Sequence, residues 1–347
     1  MALSFYDEVA ADARAHNAGL AITLAPVGPF QQAGYDLVGR AEFNLTASAT
    51  RTQKLTLTLT LTLTLTGSGT INLNATIATT DAPTLKDGAI PIPGLTDTAT
   101  TGLAITSRGA LFYTRTSNST GLSAVSLGAN DSFTNTGTIS ITDTTAQATP
   151  YTVAIVGGTR VTNAGSINVQ NGIGVGSNGV LTAGAARTLN NSGSITQNGG
   201  TVASIGVNGV GSVINSGTTS MQGVTIASPT TVVNSGSIVS TGGIAITSDF
   251  AANIANLAGG TIRGGTGQFA IRTGYGTLTN AGTITGNVNL GYEPYGALSG
   301  TGATYVAAGS TITDTLQFGA ANDTLVVNGA TTGVSGTIDG GAGLACC

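Results

Sequence analysis

The chain has no Trp, one His, two Cys, and charge on only 7% of its 347 residues. Each shortage excludes a class of function. With His16 as the sole histidine, a Ser-His-Asp triad or a His-containing zinc set would have to be built around one residue far from the repeats described below. The two cysteines, Cys346 and Cys347, are adjacent and close no loop of useful size, so there is no disulfide framework and no C-a-a-X signal. Between residues 144 and 292 the sole carboxylate is Asp249, which excludes a pair of acids for glycoside hydrolysis from that stretch.

Other absences concern location and partners. No run of about 18 apolar residues occurs, so no spanning helix is expected. The first residues carry Asp7, Glu8 and Asp12 where a secretory signal peptide has Lys or Arg ahead of an apolar run. The formal net charge of −4 offers no basic footprint for nucleic acid or anionic lipid. Scarce charge does not mean disorder here, because 40% of the residues are hydrophobic, and disordered chains combine low hydrophobicity with high charge.

What the chain has in quantity is one phrase: an apolar residue, Asn, a small residue, Gly, Ser or Thr, and Ile. It reads Asn135-Thr136-Gly137-Thr138-Ile139, Asn163-Ala164-Gly165-Ser166-Ile167, Asn191-Ser192-Gly193-Ser194-Ile195, Asn234-Ser235-Gly236-Ser237-Ile238 and Asn280-Ala281-Gly282-Thr283-Ile284. Weaker copies start at Asn215 and Asn256. A period of about 24 residues marks a solenoid, in which one coil cannot bury its apolar face and stacked coils can.

The flanking residues alternate aliphatic with Ser or Thr, a half-buried strand. At the corner, Gly is expected to supply positive φ, and Asn to tolerate the left-handed region while its amide bonds nearby backbone. Coils stacked at about 4.8 Å would set Asn over Asn in an amide ladder and Ile over Ile in the core. The fold class expected is all-β, a right-handed parallel β-helix with a short helical or irregular N-terminal cap.

The expected organisation is a cap or junction over 1–54, a Leu-Thr low-complexity strand over 55–66, the β-helix over 67–341 and a tail over 342–347. Within the cap, Ser4 followed by Asp7 and Glu8 opens a candidate helix through Ala15. Six Leu-Thr pairs in 55–66 would extend about 40 Å, too long for one rung. A water-ordering Thr array needs its pairs repeated from coil to coil, whereas these lie along one strand. Pro83, Pro91 and Pro93 mark 81–100 as an irregular loop.

Two further motifs carry little chemistry. Gly174-x-Gly176-x-x-Gly179 fits a dinucleotide fingerprint, yet no helix signal follows it and no acid lies about twenty residues on. Gly319–Leu325 is similar to a calcium-binding nonapeptide, but Ala321 replaces a turn glycine and Ala345 stands where a second copy needs Asp. A polar turn is the preferred reading, and no metal or cofactor is expected.

With the repeated phrase and Phe318–Leu325 in view, the chain resembles the passenger regions of bacterial autotransporter adhesins over about residues 67–341. The resemblance implies a cell-surface or extracellular location and a translocator barrel that is separate or missing, since no series of ten-residue alternating segments follows. It also implies a passenger fragment, a truncated product or a protein exported by other means. The function expected is non-enzymatic contact with a host or bacterial cell surface, matrix or glycan. Binding would use loops near 81–100 or 290–300, with Tyr292 and Tyr295 as candidate contacts. The competing readings are a β-helical carbohydrate-active enzyme, which needs two close carboxylates and an Arg in a cleft, and an inert stalk.

Overall fold

The structure, a computed structural model, describes residues 103–116, 123–145, 152–176, 187–197, 199, 204–292, 301–328, 333–343 and 345–346, with seven short strands between Phe43 and Asp87 upstream of these. Every regular element among the described residues is a strand. One coil comprises Thr152–Val156, Arg160–Asn163 and Ser166–Gln170. Each strand lies parallel on its counterpart in the next coil, Gly172–Gly176, Thr188–Asn191 and Ser194–Gln197. Three parallel ladders therefore run the length of a β-solenoid. The third is a separate sheet of twelve strands. The first two join because Phe269–Asn280 runs through both, pairing with Ile246–Ala251 in one and with Ile254–Asn256 in the other. Gly276, at φ 117°, turns the corner within that long strand, a conformation that favours glycine.

Period-two alternation sets the core. In Thr138–Asp143 every second residue is buried, and Ile139, in register with Leu111, belongs to a column that continues through Ile167, Ile195, Thr219, Ile238, Ile262, Ile284 and Ile312. All seven isoleucines have no exposed surface. Burying such a side chain contributes about 1.5–3 kcal/mol. Thr219 stands in the column with its hydroxyl satisfied, since Oγ1 donates to Oδ1 of Asn215 at 3.2 Å.

Positive φ is met by Gly259 in the longer Asn256 corner, at 83°, and the other corner glycines correct the expectation. None of Gly137, Gly165, Gly193, Gly217, Gly236 and Gly282 lies in the left-handed region, and neither do the corner asparagines. Glycine is required there because successive coils touch backbone to backbone. A Cβ on Gly165 would overlap the carbonyl oxygen of Gly137, one on Gly193 that of Gly165, and one on Gly217 that of Gly193. Those carbonyls cannot move aside, since each accepts the amide of the residue after the next corner glycine, as Gly137 O does from Ser166 N at 2.9 Å.

The ladder reaches past 67–341 at both ends. Phe43–Ala47 pairs with Leu63–Gly67, Arg51–Gln53 with Gly69–Leu73, and Ala345–Cys346 with Asp323–Thr324. The Leu-Thr run is divided between Thr56–Thr60 and Leu63–Gly67, which belong to different ladders. Within the supposed loop over 81–100, Leu85–Asp87 is a strand paired with Leu63–Leu65. The candidate helix from Ser4 to Ala15 lies outside the described residues.

Candidate functional site

The corner asparagines come together as one column. Asn135, Asn163, Asn191, Asn215, Asn234, Asn256 and Asn280 are successive register partners, and each Nδ2 donates to the Oδ1 of the next at 2.8–2.9 Å. Nδ2 also reaches the carbonyl of the Ser or Thr after the next corner, as in Asn163 to Ser194 O at 3.0 Å. These side chains are 0–1% exposed, so the column is scaffold and meets no ligand. Its N-terminal neighbour in register is Ser107 and its C-terminal one Ala307, and the amide chain ends at those two substitutions.

The described acids are spread out. Asp143 is buried against Arg115, with Nη1 to Oδ2 at 2.9 Å. Burial pushes its carboxyl pKa up, but the hydroxyls of Thr145 and Thr152, the Thr145 amide and Arg115 all bond the charged form, and together they hold it below the usual value of 3.8. Asp323 has Oδ1 bonded to Ala303 N at 2.7 Å, its Oδ2 is buried with no hydrogen-bond partner, and its register partner is Ala345. Among the described residues no three His, Cys, Asp or Glu side chains group as a metal site would require. Gly174 and Gly176 sit inside a fully buried strand, away from any helix start.

On the third ladder Thr138, Ser166, Ser194, Thr218, Ser237, Thr261, Thr283 and Thr311 form a continuous outward column of hydroxyls. The column two residues along is interrupted by Asn168, Val239 and Arg263, so hydroxyl pairs do not repeat coil on coil.

The outward face of the first ladder gathers a different set. Ile246, Ile271, Val288 and Leu316 point inward and are fully buried, which turns their neighbours Thr247, Arg272, Asn289 and Gln317 outward. These four and Asp339 are consecutive register partners. Arg272 is clamped from two directions. Its Nε and Nη2 donate to Thr247 Oγ1 at 3.3 and 3.2 Å, and its guanidinium carbon lies 4.1 Å from the ring centroid of Tyr292. Tyr292 is held there by its own amide, which donates to Thr273 O at 3.0 Å. Beside Arg272, Asn289 Nδ2 donates to Gln317 Oε1 at 3.1 Å, while Asn289 Oδ1 accepts from Gly291 N at 2.9 Å. Stacking on an aromatic face fixes the planar guanidinium and leaves its edges for hydrogen bonding.

Of the two tyrosines singled out in the sequence, Tyr292 joins this cluster and Tyr295 lies outside the described residues. Sequence reasoning missed Arg272. Its one signal is its place as a polar residue between Ile271 and Thr273 in an alternating stretch, which identifies a face but not a partner twenty residues away. Among the described residues no helix is long and apolar enough to cross a membrane. No protein family matches the chain, and no curated protein or solved structure is similar to it.

Proposed function

We propose that this chain is a non-enzymatic, passenger-like β-solenoid displayed outside a bacterial cell, which adheres to a cell surface, matrix or glycan through side chains on the outside of its coils. The observation that carries the reading is the Arg272–Tyr292 pair, a preorganised cation and aromatic face set on a rigid rod beside the bonded amides of Asn289 and Gln317. Tyr and Arg are the residue types enriched where binding energy concentrates. The rod supports it too: aliphatic columns and an amide ladder fill the interior, so variation is carried by the outward rows and loops.

The test uses the whole purified chain, assayed for adhesion to bacterial and host cells and to matrix, and in parallel for cleavage of polysaccharides. Adhesion reduced by Tyr292→Ala with an unchanged circular dichroism spectrum supports the reading. Cleavage that disappears on changing a single carboxylate overturns it in favour of a carbohydrate-active enzyme.

A further inference from the structure

We infer that the Arg272–Tyr292 pair is a recognition point for the carboxylate of an acidic glycan, with a uronic-acid or similar sugar unit seated on it and its neighbours laid along the solenoid axis. The inference rests on the adhesive reading above and names its ligand class. The argument begins with the guanidinium. One of its edges, Nε and Nη2, is spent on the single hydroxyl oxygen of Thr247, and one of its faces lies against Tyr292. The Nη1–Nη2 edge remains, two parallel N–H donors spaced to meet the two oxygens of a carboxylate. Among the described residues Arg272 forms no ion pair, in contrast to Arg115, which meets Asp143. A clamped, stacked and partly exposed Arg with no counter-ion among the described residues, in a chain of net charge −4, is poised for an external anion.

The surroundings select among anions. Among the five register partners Thr247, Arg272, Asn289, Gln317 and Asp339, Arg272 is the one cation, and a single positive charge matches a singly charged carboxylate better than a doubly charged phosphate. The next two positions along the axis are the amides of Asn289 and Gln317, which suit neutral hydroxyls by donating and accepting. These positions advance by the strand spacing of about 4.8 Å per coil. That step is close to the length of one sugar unit in an extended chain, so a glycan along the axis would present successive units to successive coils.

Titration calorimetry on the whole chain tests this with a galacturonate trimer, its methyl ester, a sialylated trisaccharide and inorganic phosphate as probes. The acidic trimer is expected to bind. Esterification and Arg272→Gln should each weaken it about tenfold or more, the effect of losing a charge-assisted pair. Tyr292→Ala should weaken it too, and by more than Tyr292→Phe, which keeps the ring, while Arg263→Gln, a cation on the third ladder, should leave it unchanged. Tighter binding of the sialylated sugar than of the trimer supports the carboxylate and identifies sialic acid as its source. An ester that binds as tightly as the acid overturns the inference without depending on any variant's folding, and so does phosphate competing as well as the trimer. Adhesion to cells unchanged in a folded Arg272→Gln variant overturns this inference and leaves the adhesive reading standing. Trimer binding with no adhesion to any cell or matrix supports the carboxylate site and overturns the adhesive reading instead.

Discussion

Asn163 donates from Nδ2 to Oδ1 of Asn191 at 2.8 Å, across one whole coil of 28 residues. Both residues repeat the relationship with their outer neighbours, so each amide between the ends is donor and acceptor at once. In a buried setting such bonds polarise one another, and removing one member costs each of its two neighbours a hydrogen bond.

Asn191→Ala is therefore expected to lower stability by about 1–3 kcal/mol, the desolvation cost of stranded polar groups. The exposed neighbour Ser192→Ala should stay within about 0.5 kcal/mol. Urea unfolding of both variants decides it, and equal losses would mean that the ladder contributes no more than a surface hydroxyl.

Ile195 occupies the middle of the aliphatic column with no exposed surface. Ile195→Ala should cost about 2–5 kcal/mol, the transfer term plus the cavity left in a stack that cannot collapse. A loss below about 1 kcal/mol, outside that range, would show the coils closing over the gap.

Two glycines separate close packing from backbone conformation. Gly193→Ala pushes a methyl into Gly165 O, which is pinned by its bond from Ser194 N at 2.9 Å, and about 3 kcal/mol of overpacking cost is expected. Gly267 has φ 72° and nothing within 4 Å of an added Cβ, so Gly267→Ala should cost only the left-handed penalty of about 1–2 kcal/mol. Melting temperatures that rank the two variants in the opposite order would contradict the account of the corner.

Asp143 gives the fold an acid limb. Its folded pKa lies below the unfolded value of 3.8, so its contribution is complete above 3.8 and is lost as pH falls through the lower folded value. Asp143→Ala should cost about 3–5 kcal/mol near neutrality, because the buried Arg115 loses the carboxylate to which its Nη1 donates. The stability difference between wild type and variant, followed by denaturant titration, should be flat at neutral pH and shrink below 3.8. A difference that grows in acid would reverse the sign assigned here.

The repeated phrase was legible because both of its periodicities run along the chain. Alternation placed Ile139, Ile167 and Ile195 inside, and the recurrence of Asn placed one amide over the next. The phrase misled on the reason for its glycine: a turn residue suggests positive φ, whereas the contact that forbids a Cβ is made by another coil. The limits of the ladder were obscured at Leu85–Asp87, where nearby prolines suggest a loop, and in the Leu-Thr run, whose uniform alternation hides the break between two strands.

By itself, then, the sequence determined the parallel solenoid, the phase of its strands and the identity of its amide column, since all three follow from local pattern repeated often enough to stack. Tertiary structure alone decided which side chains meet between coils: Arg115 with Asp143 inside, and Arg272 with Thr247 and Tyr292 outside. The physical reason lies in the uneven coil length, 19 residues from Asn215 to Asn234 but 28 from Asn135 to Asn163. Neighbours across a rung therefore have no constant separation in the chain, and only the hydrogen-bonded register of the folded ladder brings a particular cation to a particular ring.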